Sequence, residues 1–309
     1  MAPRYNAALL CTVVPMQSGI VTIIGRPNVG KSSILNALIG RKVSIVSHKP
    51  QTTRHRIQGV LHHDLGQIVF VDTPGLHRGE KKALNKLMNQ AASGSIHDVD
   101  LVLFVVEAGA FRDEDQAVLD KLKDVTGPVA LLVNKIDQMK SREQLLPELA
   151  RLGALREFAF VMPVSATKGS NLDALVAEIF RRLPEGPELY PPDMVTGYDH
   201  GFEASELIRE KLTRGLHQEL PYSLTVSIDS YEREGRLRRI NATIWVEREG
   251  QKSIVIGEEG ANLKRVGTSA RRELEQITGD KVFLKLWCKV KENWSDDIKA
   301  LRQLGFDTE

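Results

Sequence analysis

The chain has 309 residues, 42% of them apolar and 27% charged, ordinary values for a globular protein and more than one average domain needs, so two domains are expected. Forty-two Lys and Arg against forty Asp and Glu leave a formal charge of +2, so nucleic-acid contact has to come from a local patch and not from a basic surface overall. The two cysteines, Cys11 and Cys288, exclude a disulfide framework or Cys-rich metal site and suit a reducing cytoplasm, and no apolar stretch approaches the roughly 18 residues of a membrane span.

Residues 7–16 (AALLCTVVPM) imitate a weak signal-peptide core. The strand that opens the first motif begins only a few residues later and cleavage would damage it, so residues 1–17 read as a variable N-terminal arm, with a start at Met1 or Met16. From Gly19 on, short β-branched runs at 20–24, 68–71, 101–106, 129–133 and 160–164 alternate with helical stretches at 31–39, 81–95, 113–123, 141–152 and 172–182. Apolar runs without alternation belong to a parallel sheet covered on both faces, hence a doubly wound α/β domain over 18–183. Pro184, Pro187, Pro191 and Pro192 then crowd together, which forbids helix and favours an extended, semi-rigid connector over 184–200. A smaller α+β domain fills 201–309. Its predicted order is helix 203–217, strands 223–231 and 240–247 as an antiparallel hairpin, a glycine loop at Gly257 and Gly260, helix 261–278 and strand 281–289.

Between the first strand and first helix stands GRPNVGKS, which fits G-x-x-x-x-G-K-[ST] in the context that motif requires. Gly25, Arg26, Pro27, Asn28, Val29 and Gly30 would surround phosphates with backbone N–H groups, joined by Lys31, Ser32 and Ser33 at the positive end of the helix. Lys31 reaches the β and γ oxygens and Ser32 can ligate magnesium. In SHKPQTTRHR, residues 47–56, a hydroxyl from Thr52 or Thr53 can reach the same ion when a γ-phosphate is present, with Thr53 favoured. After the strand at 68–71 comes DTPG: Asp72 can hold magnesium directly or through water, Thr73 and Pro74 continue the loop, and the Gly75 N–H can sense the γ-phosphate. NKID follows the strand at 129–133 with Asn134, Lys135 and Asp137. Guanine offers N1–H and an amine that one carboxylate accepts together, whereas adenine presents an acceptor at N1, so Asp137 selects GTP over ATP and disfavours an ATP-driven motor or kinase. Ser165 and Ala166 can then give a backbone N–H to the base oxygen. Apart from the 47–56 loop, these four elements lie at C-terminal ends of parallel strands, where α/β sheets bind ligands.

Leu76 stands where many GTPases carry a Gln that orients the attacking water. Intrinsic hydrolysis is therefore expected to be slow unless another group assists, and the Asn28 oxygen can hold a monovalent cation against the phosphates. Asn28, Lys31, Thr53 and Gly75 are thus the catalytic candidates. His48, His55, His62, His63 and His77 have no metal-ligand spacing.

GRPNVGKS, QTTRHR, VDTPGLH, NKID and VSA, followed after the linker by VEREGQKSIVIGEEGANLKRVG, resemble the bacterial Era GTPase family over residues 19–306. The resemblance implies a Ras-like P-loop GTPase domain with a mostly parallel sheet, followed by a type II K homology (KH) domain. It further implies assistance to assembly of the small (30S) ribosomal subunit by binding the 3′ end of 16S rRNA, and peripheral association with the inner membrane of a protein otherwise cytoplasmic. A monomer is expected, with Mg2+ as cofactor. Similar GTPases with Asn at the place of Asn28 and a hydrophobic residue at the place of Leu76 use K+ as an accelerator. RNA is expected at Ile256, Gly257, Glu258, Glu259 and Gly260, with Lys264, Arg265 and Arg271 beside them. Two departures stand out: Ser33 where Thr is more common, and two carboxylates in a loop that must approach phosphate. From residue 200 to the end, basic and acidic residues balance. The competing reading is accordingly a peripheral membrane or protein-interaction switch whose KH-like domain has lost RNA binding.

Overall fold

The structure is a computed structural model that describes residues 16–49, 51–75, 82–94, 98–139, 141–216 and 220–306. Leu76, His77, His217, Cys11 and nearly all of the N-terminal arm lie outside these. The first half runs β1 (Gln17–Ile24), α1 (Lys31–Ile39), β2 (Ile57–His63), β3 (Gly66–Asp72), α2 (Ala83–Gly94), β4 (Leu101–Glu107), α3 (Asp113–Lys121), β5 (Val129–Asn134), α4 (Leu145–Gly153), β6 (Val161–Pro163) and α5 (Leu172–Phe180). Its sheet has the order β2-β3-β1-β4-β5-β6, parallel throughout except for β2, which runs antiparallel to β3. Strands β3 and β5 are buried along their whole length, as continuous apolar runs require. Val21, Ile23, Leu103 and Leu132 pack toward α1 and α5, while Val102, Phe104, Val106 and Leu131 pack toward α3 and α4. The sheet is therefore covered on both faces.

Sequence reading missed β2, because Gly59 and the pair His62–His63 interrupt its apolar pattern. The proline-rich segment is also more than a connector. It lies along the exposed edge of β2 and is tied to the Gln67 side chain of β3: Val60 N donates to Val195 O at 2.9 Å, Gln67 Nε2 to Tyr190 O at 2.8 Å, and Leu189 N to Gln67 Oε1 at 2.8 Å. An unpaired edge would otherwise offer its N–H and C=O groups to another chain, and this segment caps it.

The second half comprises α6 (His200–Gly215), β7 (Leu224–Glu234), β8 (Leu237–Val246), α7 (Glu249–Ile256), α8 (Ala261–Thr278), β9 (Lys281–Val290) and α9 (Ile298–Gln303). Strand β7 pairs with β8 antiparallel, as the expected hairpin, and β8 pairs with β9 parallel, the α7–α8 hairpin supplying the crossover. Helices α6, α7 and α8 cover one face through Ile208, Leu212, Val255, Val266 and Ala270. Helix α6 starts where the Asp199 carboxylate accepts the Phe202 N–H at 2.7 Å, three residues earlier than the sequence pattern suggests. Helices α7 and α9 were not foreseen: β-branched Ile254, Val255 and Ile256 and Gly250 lower the helix propensity of α7, and α9 has only six residues.

Candidate nucleotide site and nucleic-acid groove

The turn from β1 into α1 folds back on itself because Gly25 (φ 155°), Asn28 (φ 65°) and Gly30 (φ 102°) take positive φ. Around it opens a cleft of about 340 Å³ lined by the phosphate loop, residues 45–49, Gly75, Asn134, Lys135, Asp137, Gln138 and Thr167. Lys31 is buried, and its ammonium donates to the carbonyls of Gly25 (3.0 Å) and Arg26 (3.1 Å). Desolvation pushes its pKa down to about 8 against the opposing pull of Asp72.

Asp72 is fully buried at the end of β3. Its Oδ2 accepts from Ser32 Oγ (2.6 Å), Ser44 Oγ (2.9 Å) and Thr53 Oγ1 (3.4 Å), and Thr53 and Ser32 hydroxyls lie 2.9 Å apart. Burial raises its carboxyl pKa, with Lys31 and these hydroxyls working the other way. Oδ1 is buried without a partner among the described residues. A carboxylate with one free oxygen beside two hydroxyls is an oxygen donor set of the kind magnesium takes alongside water and phosphate, so these residues fit that ion. Thr52 points elsewhere: its hydroxyl bonds the Lys49 carbonyl at 2.6 Å. The Ser44 contact had no signal in residue spacing.

The base side is built around Asn134. Its Nδ2 donates to Val29 O (2.9 Å) and its Oδ1 accepts from Ala166 N (3.2 Å), so one side chain ties the phosphate loop to the loop after β6. Asp137 projects into solvent, its Oδ1 fixed by Ser165 Oγ (2.5 Å) and its Oδ2 by Thr167 Oγ1 (3.3 Å); the Ser165 hydroxyl holds its carboxyl below the usual range. Several motif residues contribute backbone only. Arg26 turns away to pair with Asp115 (2.9 Å) and Glu107 (3.0 Å), and Glu107 also pairs with Lys135 (3.1 Å). Burial would raise the Glu107 carboxyl, but Lys135 and Arg26 together hold it low. Val29 is core, and Thr73 Oγ1 donates to Ile23 O at 3.0 Å. Gly75 lies so close to the phosphate loop that a Cβ there would come within 2.9 Å of Pro27. Asn28 donates to His48 O at 2.8 Å.

The segment carrying Thr53 is held by the second half of the chain. Arg209, buried on α6, donates to the Thr52 carbonyl, Arg54 donates to Leu224 O at 2.7 Å, and Glu210 Oε1 accepts from Val46 N at 3.1 Å. Glu210 also pairs with Lys42 and, at 2.9 Å, with Arg214. Helix α2, just beyond the DTPG loop, packs through Leu84 and Met88 onto Trp294, Leu301 and Phe306.

At the far side, Gly257 (φ 75°), Glu259 (φ 47°) and Gly260 (φ 79°) turn α7 into α8. A Cβ at Gly257 would stand 2.9 Å from Asn262 Cβ and 3.0 Å from its backbone N, so glycine is required there. Glu258 and Glu259 are exposed. Between α8 and β9 runs an open groove of about 420 Å³ lined by Gly260, Lys264, Gly267, Arg271, Lys285 and Leu286 among others. Lys264 and Arg271 thus share the groove with the glycine loop. Arg265 does not: it faces α6, its guanidinium 3.4 Å from Gly215 O, because helical spacing puts it about 100° from Lys264. Lys285 and Leu286, not among the residues at which RNA was expected, come from the strand opposite. Among the described residues no helix is long and apolar enough to cross a membrane.

Known proteins resemble this chain over nearly its full length. A family model described as a 50S ribosome-binding GTPase matches residues 20–135, and one described as a KH domain matches residues 219–295. The chain is 50% identical to the GTPase Era of Stenotrophomonas maltophilia strain K279a over 293 residues, covering 95% of this chain and 98% of that protein. It is 50% identical to the GTPase Era of Xanthomonas oryzae pv. oryzae strain MAFF 311018 over 296 residues, 96% and 99% of the two chains. Two solved structures superpose with a TM-score of 0.91 at 38% identity, over 95% of this chain and all of theirs: an Aquifex aeolicus Era variant bound to GDP.AlF4-, and Era with MgGDPNP and nucleotides 1506–1542 of 16S ribosomal RNA.

Proposed function

The chain belongs to the Era GTPase family, a GTP-hydrolysing enzyme with a KH domain, and from that premise we propose that it is a switch whose nucleotide state sets its grip on the 3′ end of 16S rRNA during small-subunit assembly. The observation that carries this reading is the direct hold of α6 on the segment bearing Thr53: Arg209 on the Thr52 carbonyl and Glu210 on the Val46 N–H. Any shift of Thr53 toward a bound ion moves those bonds, and through α6 the helix that walls the groove. The Era complex with MgGDPNP and a 16S fragment supports both ligands.

In this reading Asp137 accepts the paired donors of guanine, and the Ala166 N–H exchanges its bond to Asn134 Oδ1 for the base oxygen, while the Ser165 N–H, donated to Ser170 O at 3.2 Å, stays in the loop. Lys31 leaves its two loop carbonyls for the phosphates, which neutralise its charge better than dipoles do. Ser32, Thr53 and Asp72 hold Mg2+, which supplies charge stabilisation for the phosphoryl oxygens when bound. Asn28 contributes an oxygen to K+, and the Gly75 N–H reads the γ-phosphate. RNA lies along Ile256 to Gly260 with Lys264 and Arg271, whose charges offset Glu258 and Glu259. The protein acts as a cytoplasmic monomer with peripheral contact to the inner membrane.

The test is RNA affinity across a salt series, using a 16S 3′-end oligonucleotide and a scrambled control, in GTP-analogue and GDP states. Selective binding that weakens steeply with salt, differs between states and is lost in Gly257→Asp is expected. Equal affinity in both states would sink the coupling. The exposed carboxylates of the glycine loop favour the second reading, a protein-interaction or membrane switch, which would show no sequence selectivity and little salt dependence.

A further inference from the structure

The face of the KH sheet turned away from α6 and α8 has no role in the reading above. Along β9 the helix-facing positions are Val282, Leu284, Leu286 and Cys288. The opposite face presents, in order, Lys281, Phe283, Lys285, Trp287 and Lys289, all exposed. Phe283 is 52% and Trp287 49% exposed, unusual for rings that could have been buried. Each ring has a cation beside it: Arg239, itself paired with Glu234 at 3.1 Å, stands 5.9 Å from the Phe283 centroid, Lys285 4.7 Å from that of Trp287, and Lys289 5.7 Å from that of Trp245 on the adjacent strand. Strands β8 and β9 contain no acidic residue, and among the described residues no carboxylate pairs with Lys285 or Lys289.

Lysines alone would be explained as guards of an edge strand. Two half-exposed rings between them are not, since exposed aromatic surface is what such guards exist to avoid. Alternate residues on one strand face stand about 6.7 Å apart, so the two rings are separated by about 13 Å with an ammonium between them. That is the composition of a single-strand platform, in which rings stack bases of any sequence and cations track phosphates. The stripe is also continuous with the groove: Lys285 and Leu286 of the same strand line its wall.

We propose that this outer face of β9, through Phe283, Trp287 and Lys289, is a second binding surface for unpaired RNA, taking the stretch of strand that leaves the α8–β9 groove. The proposal rests on the RNA reading of that groove. A KH groove holds about four nucleotides, so a longer ligand has to go somewhere, and the charge distribution directs it here. On the same face β7 contributes the acids Asp229, Glu232 and Glu234, the last neutralised by Arg239, and Asp229 and Glu232 turn phosphate away from the far edge.

The experiment uses full-length protein loaded with a GTP analogue and two probes: a 16S 3′-end RNA of about five nucleotides, and the same RNA carrying ten uridines at either end. The expected result is about tenfold tighter binding of one extended RNA, a gain lost in the Phe283→Ala/Trp287→Ala double variant and retained in Trp287→Phe, with the short RNA bound equally by all three. Tryptophan fluorescence gives an independent readout, since only the extended RNA quenches Trp287. No gain from extension at either end, or a gain that survives the double variant, overturns the proposal. If the short RNA fails to bind while a uridine tail alone quenches Trp287, the groove reading falls and the platform stands. Quenching by a polyglutamate peptide but not by RNA reassigns the face to an acidic protein and overturns it.

Discussion

Replacing Gly30 by Ala should damage the nucleotide site through Asn134 and not through the phosphates themselves. A Cβ on Gly30 would stand 2.3 Å from Asn134 Nδ2, and the residue already has φ +102°. The backbone strain is on the order of 1–3 kcal/mol. Displacing Asn134 also breaks its bonds to Val29 O and Ala166 N, each worth about 1 kcal/mol. The free loop can relax most of this strain, but the bound loop has to restore the geometry, so GDP affinity should fall by about 2–4 kcal/mol, roughly thirty- to a thousandfold. Titration calorimetry with GDP measures it. Gly40→Ala is the control: φ is +71° with nothing within 4 Å of the new Cβ, so stability drops slightly and affinity stays. In an Asn134→Ala background the methyl has room, and Gly30→Ala should then cost little more than its backbone strain. A Gly30→Ala protein that binds GDP within threefold of wild type, or effects that simply add in the double variant, would refute the reasoning.

Four other outcomes are expected. Asp137→Asn exchanges a double acceptor for an amide, so competition assays should show GTP affinity down by at least about a hundredfold and xanthosine triphosphate, with a carbonyl in place of the amine, bound in preference. Thr53→Ala should weaken the magnesium-dependent GTP-analogue complex about tenfold while sparing GDP; Thr52→Ala, whose hydroxyl only closes a turn onto Lys49, should change neither. Glu210→Gln should reduce the difference in RNA affinity between GTP-analogue and GDP states, because its ties to Lys42, Val46 and Arg214 transmit the switch; an unchanged difference would exclude that route. Burial pushes the Cys288 thiol up to about 11. Only the thiolate reacts, so alkylation of Cys288 at pH 8 should run about two-hundredfold slower than for a free cysteine and rise about tenfold per pH unit up to pH 10.

The candidate nucleotide site was legible because its residues sit in short contiguous motifs, each beside a strand whose apolar run announces it. GRPNVGKS between β1 and α1 has few alternative explanations. The roles within the motif were harder to separate, since Arg26 reads like its neighbours yet faces Glu107 and Asp115. Strand β2 and helices α7 and α9 escaped notice because each depends on tertiary partners: the 184–200 segment for β2, the sheet for α7, and Trp294 with α2 for α9. In the groove, Arg265 was misplaced because proximity in sequence to Lys264 says nothing about which side of a helix a residue occupies.

By itself the sequence determined the mostly parallel α/β half, the carboxylate at Asp137 on which the proposed guanine specificity rests, and the pairing of a phosphate loop with a glycine-loop module. These follow from local spacing, since strand period, turn glycines and a carboxylate's acceptor pattern are properties of a few adjacent residues. The tertiary structure alone decided that Ser44 joins Ser32 and Thr53 on Asp72, that α6 holds the Thr53 segment, and that β9 offers one face to the groove and the other to solvent. Those contacts join residues as far apart as Val46 and Glu210. No pattern along the chain encodes such a distance; it is fixed only when burial of the two cores brings their surfaces together.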